Sequence, residues 1–129
     1  MIERNLKYST LELHVFVDAS SIAYAAAVYL RVKGEEQART KIVFAKSRLN
    51  PSKEISIPRL ELMAILIGVR SLRFVEEQLK LKIKKKFLWS GSKTALAWIS
   101  SSRVLPVFVA NRVREINETG DIKFRHVST

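Results

Sequence analysis

The 129-residue sequence contains no cysteine, which excludes a disulfide framework, a thiol nucleophile and a thiolate metal site. It also lacks the run of about 18 apolar residues that a transmembrane helix needs, since its longest apolar stretch, 62–69, is bounded by Glu61 and Arg70. The first five residues show neither the basic nor the apolar part of a secretory signal. We therefore expect an intracellular protein, and the sequence does not distinguish between cytoplasm and nucleus.

Acidic residues are scarce: 12 Asp and Glu stand against 23 Lys and Arg, for a net charge of +11. Such a balance favours a polyanionic partner, and nucleic acid more than a membrane surface. Hydrophobic residues make up 47% of the chain, enough for one domain with its own core. We expect a lead-in over residues 1–10 and a single domain over 11–129.

The spacing of apolar residues changes along the chain between the period of a strand and that of a helix. Alternation predicts a strand over 11–20 and two more over 22–32 and 38–47. Pro58 suits the first turn of a helix, which is predicted to run to about residue 79. A short strand at 87–90, helices at 92–99 and 106–118, and a last strand at 122–127 complete the pattern. This order predicts an α/β fold: a mixed five-stranded sheet, an antiparallel meander followed by parallel strands, with helices on both faces.

Two carboxylates are candidates for chemistry. Asp18 ends the first strand, and Glu61 lies on the first helix, where Ala64 and Gly68 on the same face allow close approach to the sheet. The topology brings the end of the first strand beside that of the fourth, at Gly91, and Glu61 is expected over the same spot. Each acid also has a plainer interpretation: Asp18 as a turn-forming residue, and Glu61 as a solvated residue favoured by the helix dipole.

Five short motifs occur in order along the chain: Asp18-Ala19-Ser20, the segments 57–62, 88–92 and 108–113, and Arg125-His126-Val127. Together they resemble the ribonuclease H-like domain of Bel/Pao LTR-retrotransposon polyproteins. The resemblance implies a three-layer ribonuclease H-like fold and a metal-dependent endonuclease that cuts the RNA strand of RNA–DNA hybrids, with Mg²⁺ or Mn²⁺ as cofactor. It implies that Asp18 and Glu61 are catalytic and metal-binding.

The same resemblance exposes a gap. The family's third acid falls on Gly91, within Trp89-Ser90-Gly91-Ser92, and its fourth acid is expected beyond Thr129. Asp121 is no substitute, because it begins the last strand at the opposite end of the sheet. Two carboxylates offset only half of the charge of two Mg²⁺ ions, so we expect an inactive or impaired site.

Basic residues are the candidates for contact with nucleic acid, although each also serves as ordinary solubilising charge. The expected partners are an RNA–DNA hybrid or another nucleic acid, and a neighbouring reverse transcriptase domain. The alternative function is a non-catalytic nucleic-acid-binding or scaffold domain. The candidate contacts are Lys46, Arg48, Lys53, Lys82, Lys84, Lys85 and Lys86.

Other chemistries fit the sequence poorly. An aspartic peptidase needs a glycine that Asp18-Ala19-Ser20 lacks, and neither His14 nor His126 has a nucleophile motif beside it. Trp89 is flanked by Phe87 and Leu88 and is interpreted as a core residue. Trp98 fits either a core position or stacking on a base.

Overall fold

The chain folds in the predicted order of strands and helices. A computed structural model describes residues 10–34, 36–118 and 120–128, so the predicted lead-in lies outside the described residues except for Thr10. The elements are β1 (Thr10–Ala19), β2 (Ala23–Lys33), β3 (Ala38–Leu49), α1 (Ile57–Leu79), β4 (Lys85–Ser90), α2 (Lys93–Ile99), α3 (Val107–Asn117) and β5 (Ile122–His126).

The strands form one mixed sheet with the order β3-β2-β1-β4-β5. β2 pairs antiparallel with β1 and β3, whereas β4 pairs parallel with β1 and β5. The predicted five-stranded sheet is therefore confirmed. Val17 of β1 lies opposite Ser90 of β4, so the carboxyl ends of these two strands adjoin at one edge.

The hydrophobic core lies between α1 and one face of this sheet. Leu13 and Val15 of β1 are fully buried there, as are Leu88 of β4 and Ile65 of α1. The closest approach is at Gly68, where a Cβ atom would lie 2.6 Å from Val17 Cγ1 and 3.2 Å from Leu88 Cδ1. The predicted role of this small residue is borne out, because only a hydrogen at that position leaves room for the sheet.

The helices differ from the expectation in one respect. In the part of the chain that the structure describes, α1, α2 and α3 all contribute to the one core on this face, through residues such as Ile99 of α2 and Val109 of α3. The first half of α1 is apolar nearly all round because it contacts two helices as well as the sheet. The expected second helical layer is not among the described elements.

The opposite face of the sheet carries a row of rings. Phe16 and Trp89 are stacked at 5.9 Å, and His14 is stacked on Phe87 at 4.7 Å. Because Leu88 points into the core, the alternation of β4 directs Phe87 and Trp89 to the other face. The interpretation of Trp89 as a core residue was therefore wrong, whereas Trp98 is partly buried against the core.

A hydrogen-bonded chain crosses this second face. The indole N–H of Trp89 donates to His14 Nδ1 at 3.0 Å, so the other ring nitrogen carries the hydrogen and donates to Glu12 Oε1 at 3.0 Å. Lys33 lies 3.4 Å from the second oxygen of Glu12. Burial raises the pKa of Glu12, but the hydrogen bonds from His14 and Lys33 outweigh it, and the net pKa is lowered. These hydrogen bonds provide partners for the buried carboxylate of Glu12, and they involve none of the residues predicted for the site.

Within the described residues, no helix combines the length and hydropathy needed to cross a membrane.

Candidate functional site

Asp18 and Glu61 line one cleft at the edge where β1 and β4 end. The cleft has a volume of about 200 Å³ and is small and open to solvent. We refer to it as the carboxylate cleft, and its lining consists of Val17, Asp18, Ala19, Glu61, Ala64, Ser90 and Gly91. The structure thus brings together the two predicted carboxylates and the position that lacks one.

The surroundings of Asp18 argue against the plainer interpretation of this residue. The turn between β1 and β2 is held by Ser20, whose hydroxyl accepts hydrogen bonds at 3.2 Å from the amides of Ile22 and Ala23. The amide of Ser20 donates to the Ala23 carbonyl at 2.8 Å. Because Ser20 makes the turn, the carboxylate of Asp18 has no structural role in it and lies exposed in the cleft.

Glu61 is the fifth residue of α1 and is half-buried. The first turn of α1 contains no acidic residue, and the favourable effect of a helix dipole on an acid fades within that turn. The dipole therefore explains Glu61 poorly. Its position is explained better by the packing of α1, which holds this side of the helix toward the end of β1.

Gly91 forms an exposed bend between β4 and α2. Ser90, the residue before it, is held by two hydrogen bonds. Its hydroxyl accepts one from the amide of Ser92 at 3.1 Å, and its carbonyl accepts one from the amide of Val127 at 3.0 Å. Gly91 is not among the positive-φ residues of the described chain. An aspartate at this position therefore meets no left-handed backbone.

The carboxylate cleft has two carboxylates in its lining, Asp18 and Glu61. The described residues contain no group of three or more His, Cys, Asp or Glu side chains able to hold a metal. Mg²⁺ is commonly held by one or two carboxylates, with water in the remaining positions. Asp18 and Glu61 are two such carboxylates. A pair of ions about 4 Å apart needs more anionic ligands than this cleft offers.

The predicted basic contacts fall at two ends of the sheet. Lys46 and Arg48 lie toward the end of β3, opposite Ala26 and Tyr24 of β2, on the side of the carboxylate cleft. Lys53 is exposed in the loop before α1. By contrast, Lys82, Lys84 and Lys85 lie before or at the start of β4, at least about 17 Å of strand away from its carboxyl end.

Lys86 needs correcting as a nucleic-acid contact. Its side chain is only 12% exposed, and its ammonium group bonds Glu76 at 3.0 Å and Asp121 at 2.5 Å. Burial lowers the pKa of Lys86, but the bonds to Asp121 and Glu76 outweigh it and the net pKa is raised. The charge is neutralised within the fold, because β4 places it between the end of α1 and the start of β5.

Sequence reasoning missed two cations near Lys46 and Arg48. Arg70 of α1 and Arg112 of α3 line a second cleft together with Arg48. Arg112 lies within the segment 108–113, one of the motifs on which the resemblance rests. The sequence therefore contained a signal that could have identified this residue. Nothing in one sequence shows that α1 and α3 pack against each other, so the grouping was not predictable.

A family model described as Pao retrotransposon-like RNaseH-like domain matches residues 1–92 of the chain. This range includes Asp18, Glu61 and Gly91. No curated protein matches the sequence.

Solved structures show the same fold at low sequence identity. RNase H1 from the halophilic archaeon Halobacterium salinarum has a TM-score of 0.58 and 12% identity, over 92% of this chain and 86% of that chain. LC11-RNase H1 in complex with RNA/DNA hybrid has a TM-score of 0.56 and 12% identity, with the same coverage of 92% and 86%. The protease-reverse transcriptase of prototype foamy virus has a TM-score of 0.57 and 13% identity, over 93% of this chain and 18% of that chain.

Proposed function

Since the chain belongs to the Pao retrotransposon-like RNaseH-like domain family, we propose that the carboxylate cleft is a ribonuclease H-type site with too few acids to cut efficiently. Its substrate is the RNA strand of an RNA–DNA hybrid, in line with the hybrid bound to LC11-RNase H1. The observation that carries the proposal is the lining of this cleft, in which Asp18 and Glu61 face a glycine at position 91.

Asp18 and Glu61 are the residues that would hold a divalent cation, Mg²⁺ or Mn²⁺. Such an ion, when bound, polarises a phosphoryl oxygen and lowers the pKa of a bound water. The protein's own contribution is to fix the two carboxylates on different elements. Without a third acid the ion keeps more water ligands, so we expect weak metal binding and weak cleavage.

The test uses a labelled RNA–DNA hybrid with Mg²⁺ or Mn²⁺ and compares the parent with Gly91→Asp and Gly91→Asn. These two variants differ by one charge at nearly equal size. We expect Gly91→Asp to bind Mn²⁺ more tightly in a titration followed by electron paramagnetic resonance, and to cut at least about tenfold faster, a difference of 1.4 kcal/mol in barrier. Gly91→Asn is expected to resemble the parent.

Two results contradict this proposal. The first is robust cleavage by the parent that disappears in Asp18→Asn, because the two acids would then suffice. The second is equal Mn²⁺ affinity of Gly91→Asp and Gly91→Asn, because position 91 would then not face the ion.

A second candidate function is a non-catalytic nucleic-acid-binding or scaffold domain beside a reverse transcriptase domain. The exposed cations Lys46, Arg48 and Lys53 favour it, because they remain when cleavage is lost. Lys46 and Arg48 also lie toward the same end of the sheet as the carboxylate cleft. Hybrid binding that weakens steeply with salt supports this function, and absence of binding at low salt contradicts it.

A further inference from the structure

β3 is the strand at one edge of the sheet, and within the described residues no other strand pairs with its outer side. It is exposed along its length, and only Val43 and Phe44 are partly buried. The register with β2 shifts between Val28 and Tyr29, where Val43 is the extra residue of a bulge. From residue 44 to residue 49 the pairing is regular. We call the outer side of this segment, 44–49, the free edge.

Alternate residues of the free edge turn their backbone groups away from β2. The amide of Asn50 donates to the carbonyl of Ile22 at 2.7 Å. In an antiparallel pair, residues that exchange hydrogen bonds alternate with residues that do not. Lys46 therefore bonds to β2, whereas the N–H and C=O groups of Ala45 and Ser47 point outward. These outward groups are the ones that an added strand would bond.

A cleft lies on each face of the sheet beside the free edge. On the face with the aromatic row, a cleft of about 370 Å³ extends from Ala45 across β2 to the exposed ring of Phe16. On the face with α1, a cleft of about 260 Å³ is lined by Phe44 and the exposed Phe74, whose ring centroids are 5.1 Å apart. Since successive side chains of a strand point to opposite faces, an added strand would place its side chains alternately toward the two clefts.

The charge of β3 restricts the kind of partner. All the charged residues of this strand are Lys or Arg, and none is acidic. Lys46 and Arg48 line the cleft on the face with α1. Like charges directly opposite each other on neighbouring strands are destabilising, so a second copy of this chain that paired through its own free edge would be repelled. Carboxylates at the opposing positions would be attracted instead.

We propose that the free edge binds an extended acidic segment of another protein, which adds a sixth strand to the sheet. Main-chain hydrogen bonds to Ala45 and Ser47 supply affinity, and the two clefts select the side chains. The partner has acidic residues opposite Lys46 and Arg48 and apolar residues toward the aromatic row. The binding does not depend on the proposed function, because the free edge contains neither residue of the proposed metal site.

The test measures binding of a labelled peptide of about eight residues, enough for one strand, in which glutamate alternates with valine. Ser47→Pro removes the outward N–H group, and proline is tolerated on an edge strand where that group faces solvent. Ser47→Ala is the matched control, because it keeps the amide. Phe74→Ala opens one cleft, and its control is Val107→Ala, which removes an exposed apolar side chain of α3. Thermal unfolding identifies any variant that fails to fold.

Ser47→Pro is expected to weaken binding of the acidic peptide at least about tenfold and Phe74→Ala about fivefold, whereas the two controls change it little. Hydrogen exchange on the parent gives a readout that needs no variant. The peptide should slow exchange at the amides of Ala45 and Ser47. The amides of Phe44 and Lys46, which already bond to β2, should change little.

Three results overturn the proposal: equal affinity of Ser47→Pro and Ser47→Ala, protection that does not alternate along the free edge, and binding of a peptide with the sequence of residues 38–49 as tight as that of the acidic peptide. The last result would make a second copy the better partner. An RNA–DNA hybrid whose binding falls as steeply in Ser47→Pro also overturns it, because the free edge would then bind nucleic acid. Absence of peptide binding leaves the cleavage expected of Gly91→Asp unchanged, so the two proposals fail separately.

Discussion

Replacing Gly68 by alanine tests whether the close approach of α1 to the sheet holds the fold together. The added Cβ would lie 2.6 Å from Val17 Cγ1, whereas carbon atoms in contact are about 3.5–4.0 Å apart. Val17 is buried and β-branched, so its side chain has few alternative rotamers. Leu88, at 3.2 Å, is fully buried and leaves no space on the other side. The helix and strand must therefore move apart.

Two opposing effects set the magnitude of this change. Alanine is about 1 kcal/mol more favourable than glycine inside a helix. Overpacking of a close-packed core costs about 1–3 kcal/mol. Since the overlap involves a stiff side chain in a fully packed region, we expect the upper part of that range and a net loss of about 1–2 kcal/mol in the free energy of unfolding.

The assay is thermal unfolding followed by circular dichroism. For a domain of this size, a loss of 1 kcal/mol lowers Tm by about 4 °C. Gly34→Ala is a suitable control, because its Cβ would meet only the Gln37 carbonyl, at an ordinary 3.4 Å. Adding Val17→Ala to Gly68→Ala should restore part of the stability that the two single variants lose, as a double-mutant cycle measures. A Tm of Gly68→Ala equal to or above that of the parent refutes the reasoning.

Two further predictions concern ion pairs. Hydrogen bonds from Arg70 lower the pKa of Glu115 below its ordinary 4.5, so the stability from this pair is present above pH 4.5 and is lost as the pH falls through the folded pKa. The free energy of unfolding, measured for the parent and for Glu115→Gln between about pH 6 and pH 3, should fall less steeply for the variant. Parallel curves would mean that the pair contributes nothing to stability. Lys86→Ala leaves Glu76 and Asp121 without their shared cation, but both carboxylates remain accessible to water. We therefore expect a loss of about 0.5–1 kcal/mol in the free energy of unfolding, measured by denaturant unfolding. An unchanged midpoint would show that these bonds are replaced by water at no cost.

Local periodicity predicted most of the fold. The alternation of β1 identified which of its residues enter the core, and the position of Pro58 located the start of α1 within one residue. Strand order predicted that Asp18 and Gly91 lie at the same edge of the sheet, because parallel neighbours end there. The small residues Ala64 and Gly68 on the same face of α1 predicted that Glu61 lies above them. Periodicity did not predict which helix packs on which face of the sheet, because the apolar side of a helix does not identify the element that it contacts.

Charge was the least predictable property. The lysines of residues 82–86 looked equivalent in the sequence, yet Lys86 is bonded to carboxylates 10 and 35 positions away. Arg70 and Arg112 were not singled out, because their relation depends on the packing of α1 against α3. Salt bridges and basic surfaces arise from contacts between distant segments, and one sequence without a structure does not show which side chains meet.

The geometry of the carboxylate cleft follows from the same contact that Gly68 makes. Glu61 and Gly68 are seven residues apart, nearly two full turns, so they lie on one side of α1 about 10.5 Å apart along its axis. Gly68 contacts Val17, and Asp18 is the next residue of β1. Because helix and strand meet at that point, the separation of the two carboxylates is determined by backbone packing and not by side-chain hydrogen bonds. A substitution that separates α1 from β1 should therefore weaken the metal binding that we propose for Asp18 and Glu61, even though it touches neither residue.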